Sequence, residues 1–345
     1  VIAMKRIAAM FSLLLLGMVV AGTTVWGALA LYYSDFAGER TRIAIALAFG
    51  LCGLATLGFL AAWPRWRGRA VAGFLVAFAA LIVWWSGIEP ANDRAWQPEV
   101  AVLPYATLDG DLVTVHNIRN FDYRSETDFT PAYYDKTVDL NKLQAVDLVA
   151  VYWMGPDIAH IFVSFGFGDG DHVAVSIEMR KEVGEGYSTL KGFFKQYELF
   201  YVVADERDVI RVRTNYRKDP PEDVYVYRVH GPSENARRLF LAYIHKINSL
   251  KDEPEFYNTL ITNCTTNIWL HTRVNPGHLH LSWKLLLSGH VPAYAYDAGK
   301  LDTSLPFPEL QRRSLVNARA QAADRAEDFP RRIREGLPGV SHGMR

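Results

Sequence analysis

The chain's strongest chemical signal is a trio of side chains, Cys264, His160 and Glu178. Cys264 stands in TLITNCTTNIWLH, where Asn263 is the expected N-cap and the thiol and Thr265 occupy the first helical turn. Unsatisfied backbone N–H groups and the helix dipole favour a thiolate there. A nucleophilic thiolate needs a base. His160 opens a strand directly after MGPDIA, so its ring can project from a sheet edge toward a helix tip. In HIFVSFGFGDGDHVAVSIEMR, a hairpin turn centred on Gly168 to Asp171 pairs positions whose numbers sum to 338 or 339, which sets Glu178 opposite or next to His160. A carboxylate in that place holds the imidazole tautomer and stabilises the imidazolium, the part of the third member in a nucleophile, base and orienter set. The plainer alternative is a buried structural cysteine, a solvent-facing strand-end histidine, and a surface pair of Glu178 with Arg180 or Lys181.

Other candidates are less specific. His116, in VTVHNIRNFDYRSETDF, can bind a polar headgroup, join the site as a second histidine, or simply end a polar strand. DERD, Asp205 to Asp208, followed by Arg211 and Arg213, reads most simply as solvated ion pairs. A buried Glu206–Arg213 pair is the version that would support the site. His271, His278 and His280 are ligand types without ligand spacing, since no HExxH or paired-carboxylate helix accompanies them. No GxSxG elbow, Walker loop or GxGxxG fingerprint is present. Neither a metal nor an organic cofactor is expected.

Positioning these residues takes a sheet and two helices. DLVTVHNIRNF, DLVAVYW, HIFVSFGF, HVAVSIEMR, ELFYVVAD, VIRVRTNY and VYVYRVH read as strands. SENARRLFLAYIHKINSLKD reads as a helix with Ser233 at its N-cap, and NCTTNIWLHTRV as another. The pattern predicts an α+β domain over about residues 96–310, an antiparallel sheet carrying helices. The Ala- and Arg-rich tail, residues 311–345, predicts one or two surface helices with a disordered end.

The chain has 37 basic and 37 acidic side chains, so no overall charge draws it to nucleic acid or anionic lipid. Its two cysteines, Cys52 and Cys264, exclude a disulfide scaffold and a Cys-based zinc cluster. Residues 7–34, 43–64 and 70–88 form three uncharged runs, each near the roughly 20 apolar residues that span a bilayer as a helix. Lys5 and Arg6 before the first run, and Arg65, Arg67 and Arg69 between the second and third, belong on the cytoplasmic side. Everything after Glu89 then lies outside the cytoplasm. The first run is too long for a signal-peptide core and two more follow it, so retention is expected, with Met4 the expected start.

HIFVSF, VSIEMRKEVGEGYS, YELFYVVADERDVIRVRTNYR, FYNTLITNCTTNIWLH and LPFPELQRRSLVN together resemble the family of the Lnb N-terminal periplasmic domain. That family is similar to permuted papain-like, NlpC/P60-related proteins, in which the histidine strand precedes the cysteine helix, as His160 precedes Cys264 here. The resemblance implies an inner-membrane protein with a periplasmic domain and a cysteine-dependent acyltransferase activity. Its substrate would be a diacylated lipoprotein or phospholipid, whose acyl chain moves from the diacylglyceryl ester to the terminal amine. Two other readings stand beside it: a cysteine amidase or peptidase of the cell envelope, and a catalytically inert, membrane-anchored binding module.

Overall fold

Three helices, α1 (Ile2–Tyr33), α2 (Glu39–Ala62) and α3 (Arg67–Ser86), open the chain in a computed structural model that describes residues 2–340. All three are long and apolar enough to cross a membrane. Small residues set their packing: a Cβ at Gly53 would overlap Thr24, and one at Gly27 would overlap Phe49, so α1 and α2 approach as closely as small-residue membrane helices do. These helices and Ser188–Tyr197 form one unit, and Asn92–Tyr187 with Glu198–Arg345 form the other.

The second unit is α+β. Its strands are β1 (Tyr105–Asp109), β2 (Leu112–Arg119), the short pair β3 (Asp122–Tyr123) and β4 (Phe129–Thr130), β5 (Tyr133–Asp139), β6 (Leu143–Tyr152), β7 (Ala159–Phe167), β8 (His172–Arg180), β9 (Glu198–Ala204) and β10 (Asp223–Arg228). The main sheet runs β1-β2-β9-β8-β7-β6-β10, with β5 also on β2. Its pairings are antiparallel apart from one parallel contact, Arg119 with Ala204. Helices follow: α4 (Glu206–Val209), α5 (Ser233–Asp252), α6 (Cys264–Thr272), α7 (Val291–Asp297), α8 (Phe307–Ser314), α9 (Asn317–Ala322) and α10 (Phe329–Arg332).

Strand alternation sorts side chains onto two faces. One face, with Val149, Val151, Phe162, Phe200, Val202 and Val226, packs in a single cluster with Val316, Ala320, Phe329, Ile333 and Leu337. On the other, Phe165 meets Phe240 and Tyr243 of α5, and Tyr201 meets His271 of α6.

Three local expectations are corrected. VIRVRTNY is helical: Asp205 accepts from the Arg207 N–H as an N-cap, α4 begins, and a π-helical turn follows at Val212–Tyr216. Its apparent two-residue period came from Ile210 and Val212 alternating with Arg211 and Arg213, yet all of these are buried. At α5 the cap residue is Pro232, with no side-chain cap bond, and Ser233 is already helical. The tail is core rather than surface. Phe329, Ile333 and Leu337 recur at four-residue spacing and are 0–4% exposed, and Arg334 donates to Asp147 at 2.8 Å and to Glu206 at 2.6 Å. The tail's charged composition hid that stripe. Its last residues, 341–345, where disorder was expected, lie outside the described residues.

Phe329→Ala is therefore expected to destabilise the domain by about 3–5 kcal/mol, the usual cost of truncating a buried aromatic. Urea unfolding of the full chain in detergent, followed by near-UV circular dichroism, measures it. A shift within about 0.5 kcal/mol, as for a surface change, would refute a core tail.

Candidate active site

The site forms where two strands part. β7 and β8 are in register from Val163↔Val175 to Gly166↔His172, so paired numbers sum to 338. N-terminal to Val163 this ladder ends, while β7 stays bonded to β6 through Val151↔His160. Ser176 and Glu178 continue along β8 on the same face as His160. The Ile161 N–H, freed from strand pairing on that side, turns to the sulfur of Cys264.

The sulfur is delivered by α6. Asn263 caps the helix by accepting from the Thr266 N–H at 2.9 Å, and its own amide donates to the Thr259 carbonyl at 2.8 Å. Thr265, 2% exposed, donates to the Leu285 carbonyl at 2.6 Å, and Asn267 donates to the Thr262 carbonyl at 2.7 Å. These bonds fix the first turn and leave little freedom at Cys264.

His160 is buried, with Nε2 2.6 Å from Ser176 Oγ and 3.1 Å from Glu178 Oε1. Ser176 donates to that same carboxylate oxygen at 2.7 Å. The ring also hydrogen-bonds the Cys264 side chain. Burial disfavours a charged ring, but the Glu178 carboxylate and the bonds to Cys264 and Glu178 outweigh it, raising His160 to about 9. Burial likewise pushes the Cys264 thiol up, while the His160 bond and charge and the Ile161 N–H pull it down further than burial raises it. Glu178 is held well below the usual carboxylate range: burial works against its charge, and His160, Arg213 and Ser176 overcome it. The two shifts together favour a thiolate–imidazolium pair, whose protons titrate as one coupled system.

Arg213 extends the chain of charges. From the π-helical turn it reaches Glu178 and Glu222, each at 3.4 Å, and Glu222 also takes Arg217 at 2.9 Å. Glu206 is elsewhere: it accepts from Arg334 and from Ser164, so the alternative Glu206–Arg213 pair does not form. The solvated ion pairs expected of this run are not found either, because Asp205, Glu206, Asp208, Arg211 and Arg213 are all buried. His116 bonds Asp135 at 2.7 Å, stacks on Tyr105 and does not join the trio. His271 shares α6 with Cys264, yet burial and then Lys246 lower it to about 4, which keeps it neutral with Tyr201 as its partner. Ser176 and Glu222 were missed in the sequence. Ser176 was legible, because it stands two residues before Glu178 and alternation puts both on one face.

These residues fall within one family segment. Residues 129–289 match the model of the Lnb N-terminal periplasmic domain. The resemblance read from the sequence is thereby shown for this segment, and a periplasmic-domain family together with three apolar helices supports an inner-membrane protein. No curated protein and no solved structure matches the chain.

In a Cys52→Ser background, Cys264 is expected to alkylate with iodoacetamide along a pH profile whose midpoint lies below the roughly 8.5 of a free thiol. His160→Ala removes the bond and charge that lower it, leaves burial, and moves the midpoint above 8.5. Identical profiles for the two proteins would contradict the pairing.

Proposed function

We propose that this protein is a membrane-anchored cysteine acyltransferase that moves an acyl chain from the diacylglyceryl ester of a bacterial lipoprotein to its terminal amine. The observation that carries this reading is the link from Cys264 through His160 to Glu178 inside the Lnb-type segment. The domain faces the periplasm, the N-terminus lies in the cytoplasm and the three helices cross the inner membrane. In this reading Cys264 is the nucleophile, His160 the acid and base, and Glu178 the orienter. Asn263, Thr265 and Arg213 are positioning residues.

The Cys264 thiolate attacks the ester carbonyl, and the N–H groups of Cys264 and Thr265 at the helix start receive the oxyanion. The carbon–oxygen bond breaks, the imidazolium of His160 gives its proton to the departing alkoxide, and a thioester remains on Cys264. The lipoprotein amine then attacks the thioester. His160 takes the amine proton, the carbon–sulfur bond breaks, and the amide and thiolate are released.

Incubating the purified full chain with a diacylated lipopeptide and with a muropeptide, and locating the acyl chains in the products by fragmentation in the mass spectrometer, tests the assignment. The expected product is a lipopeptide of unchanged mass whose acyl chain has moved to nitrogen, absent with Cys264→Ala. A cleaved stem peptide beside untouched lipopeptide would replace acyl transfer with amide hydrolysis. The pH dependence follows from the acid role: the imidazolium exists below about 9, so kcat/KM falls as pH rises through that value. Glu178→Gln removes the main charge that raises His160, so this alkaline limb moves toward neutrality; an unmoved limb would exclude Glu178 as orienter.

A further inference from the structure

The loops around Cys264 carry an unusual surface. From Phe256 to Tyr296 the chain contains no Asp or Glu, although acids and bases balance over the whole protein. Its charged groups there are Arg273 and Lys284, with four histidines beside them. Within this stretch Leu260, Ile261, Leu281, Trp283 and Leu286 are 49–71% exposed, and Met154 of the β6–β7 loop is 63% exposed. Isolated exposed apolar residues are ordinary, but a contiguous group of large ones marks an interaction surface.

Hydrogen bonds make the group contiguous. Leu285 accepts from Thr265 at the start of α6. Ser288 accepts from the Ala159 N–H at 2.9 Å, Gly289 donates to the Asp157 carbonyl at 3.0 Å, and Tyr152 donates to the Gly289 carbonyl at 2.7 Å. A side chain at Gly289 would collide with the Pro156 carbonyl, so the approach of these two loops requires glycine. Leu260 and Ile261 both donate backbone N–H groups to Asn258 in the loop that leads into Cys264. The three loops thus gather exposed apolar side chains beside the start of α6, with Lys284 paired to Asp297 and His290 to Asp157.

We infer that this rim is a docking surface for a phospholipid bilayer, which seats the Cys264 site on the membrane. Apolar character selects the occupant: Leu260, Ile261, Leu281, Trp283 and Leu286 are exposed together, the charges beside them are paired as Lys284–Asp297 and His290–Asp157, and Trp anchors at headgroup depth. Continuity along the chain supports it. Ser86, at the end of α3, precedes Asn92 by six residues, a reach of at most ~20 Å. The inference deepens the acyltransferase reading and rests on it for its purpose, since a lipid ester need not leave the interface to reach the sulfur.

The test uses the full chain with Cys52→Ser and Cys264→Ser in nanodiscs, carrying an NBD label at Ile261→Cys or Leu281→Cys, with Gln144→Cys as control. Gln144 is exposed at the opposite end of the sheet, near the β7–β8 turn. With doxyl-labelled lipid, labels at 261 and 281 are expected to be quenched at least twofold more than the label at 144. Equal quenching at all three positions overturns the docking surface. Acyl transfer by the unlabelled wild type, measured in parallel, separates the ideas: transfer with equal quenching removes this inference alone, and quenching without transfer removes the acyltransferase reading alone.

Discussion

One interaction organises the site: the hydrogen bond between Cys264 and His160, which favours a thiolate on a half-buried sulfur. A thiolate partly withdrawn from water needs nearby positive charge and donors, because an uncompensated buried ion is costly. The parting of β7 from β8 supplies both at once. It exposes the Ile161 N–H and leaves His160 beside the tip of α6, where the helix dipole adds to the effect.

The same requirement passes outward. An imidazolium held at about 9 needs an anion, and Glu178 provides it. Glu178 needs a cation in turn, met by Arg213; Arg213 needs Glu222, and Glu222 also holds Arg217, which reaches Glu126 at 3.2 Å. Each buried charge has an opposite partner until the series reaches solvent. A second buried cluster, in which Arg334 joins Asp147 and Glu206, ties the tail to β6 and α4 in the same way. The Asp147 carboxylate is also paired with Arg228 at 2.6 Å. Such pairs contribute more to a unique arrangement than to net stability, and losing one member leaves the other charge uncompensated.

Much of this was legible because it follows from local rules. Hairpin arithmetic placed Glu178 near His160, and an Asn followed by a helical pattern placed Cys264 at a helix start. Three uncharged runs gave the three apolar helices. What failed depends on distant partners. Glu206 and Arg213 are close in sequence, but the choice between them was made by Arg334, more than a hundred residues later. The strand reading of VIRVRTNY failed for a related reason: Asp205 caps a helix there, and the two arginines that gave the run its alternation are buried like their apolar neighbours. The tail's stripe of Phe329, Ile333 and Leu337 was readable by spacing and was obscured by its charged composition.

The most direct measurement is the protonation state of the His160 ring in the resting protein. Nitrogen-15 NMR of histidine-labelled full chain, with the His160 signals assigned by their loss in His160→Gln, reads both ring nitrogens across a pH titration. The account predicts a ring protonated on both nitrogens at pH 7.5 that titrates near 9 and loses that charge at pH 7.5 when Cys264 is replaced by Ser and Glu178 by Gln. A ring already neutral at pH 7.5 in the intact protein, titrating near the ordinary value of about 6.5, would contradict it.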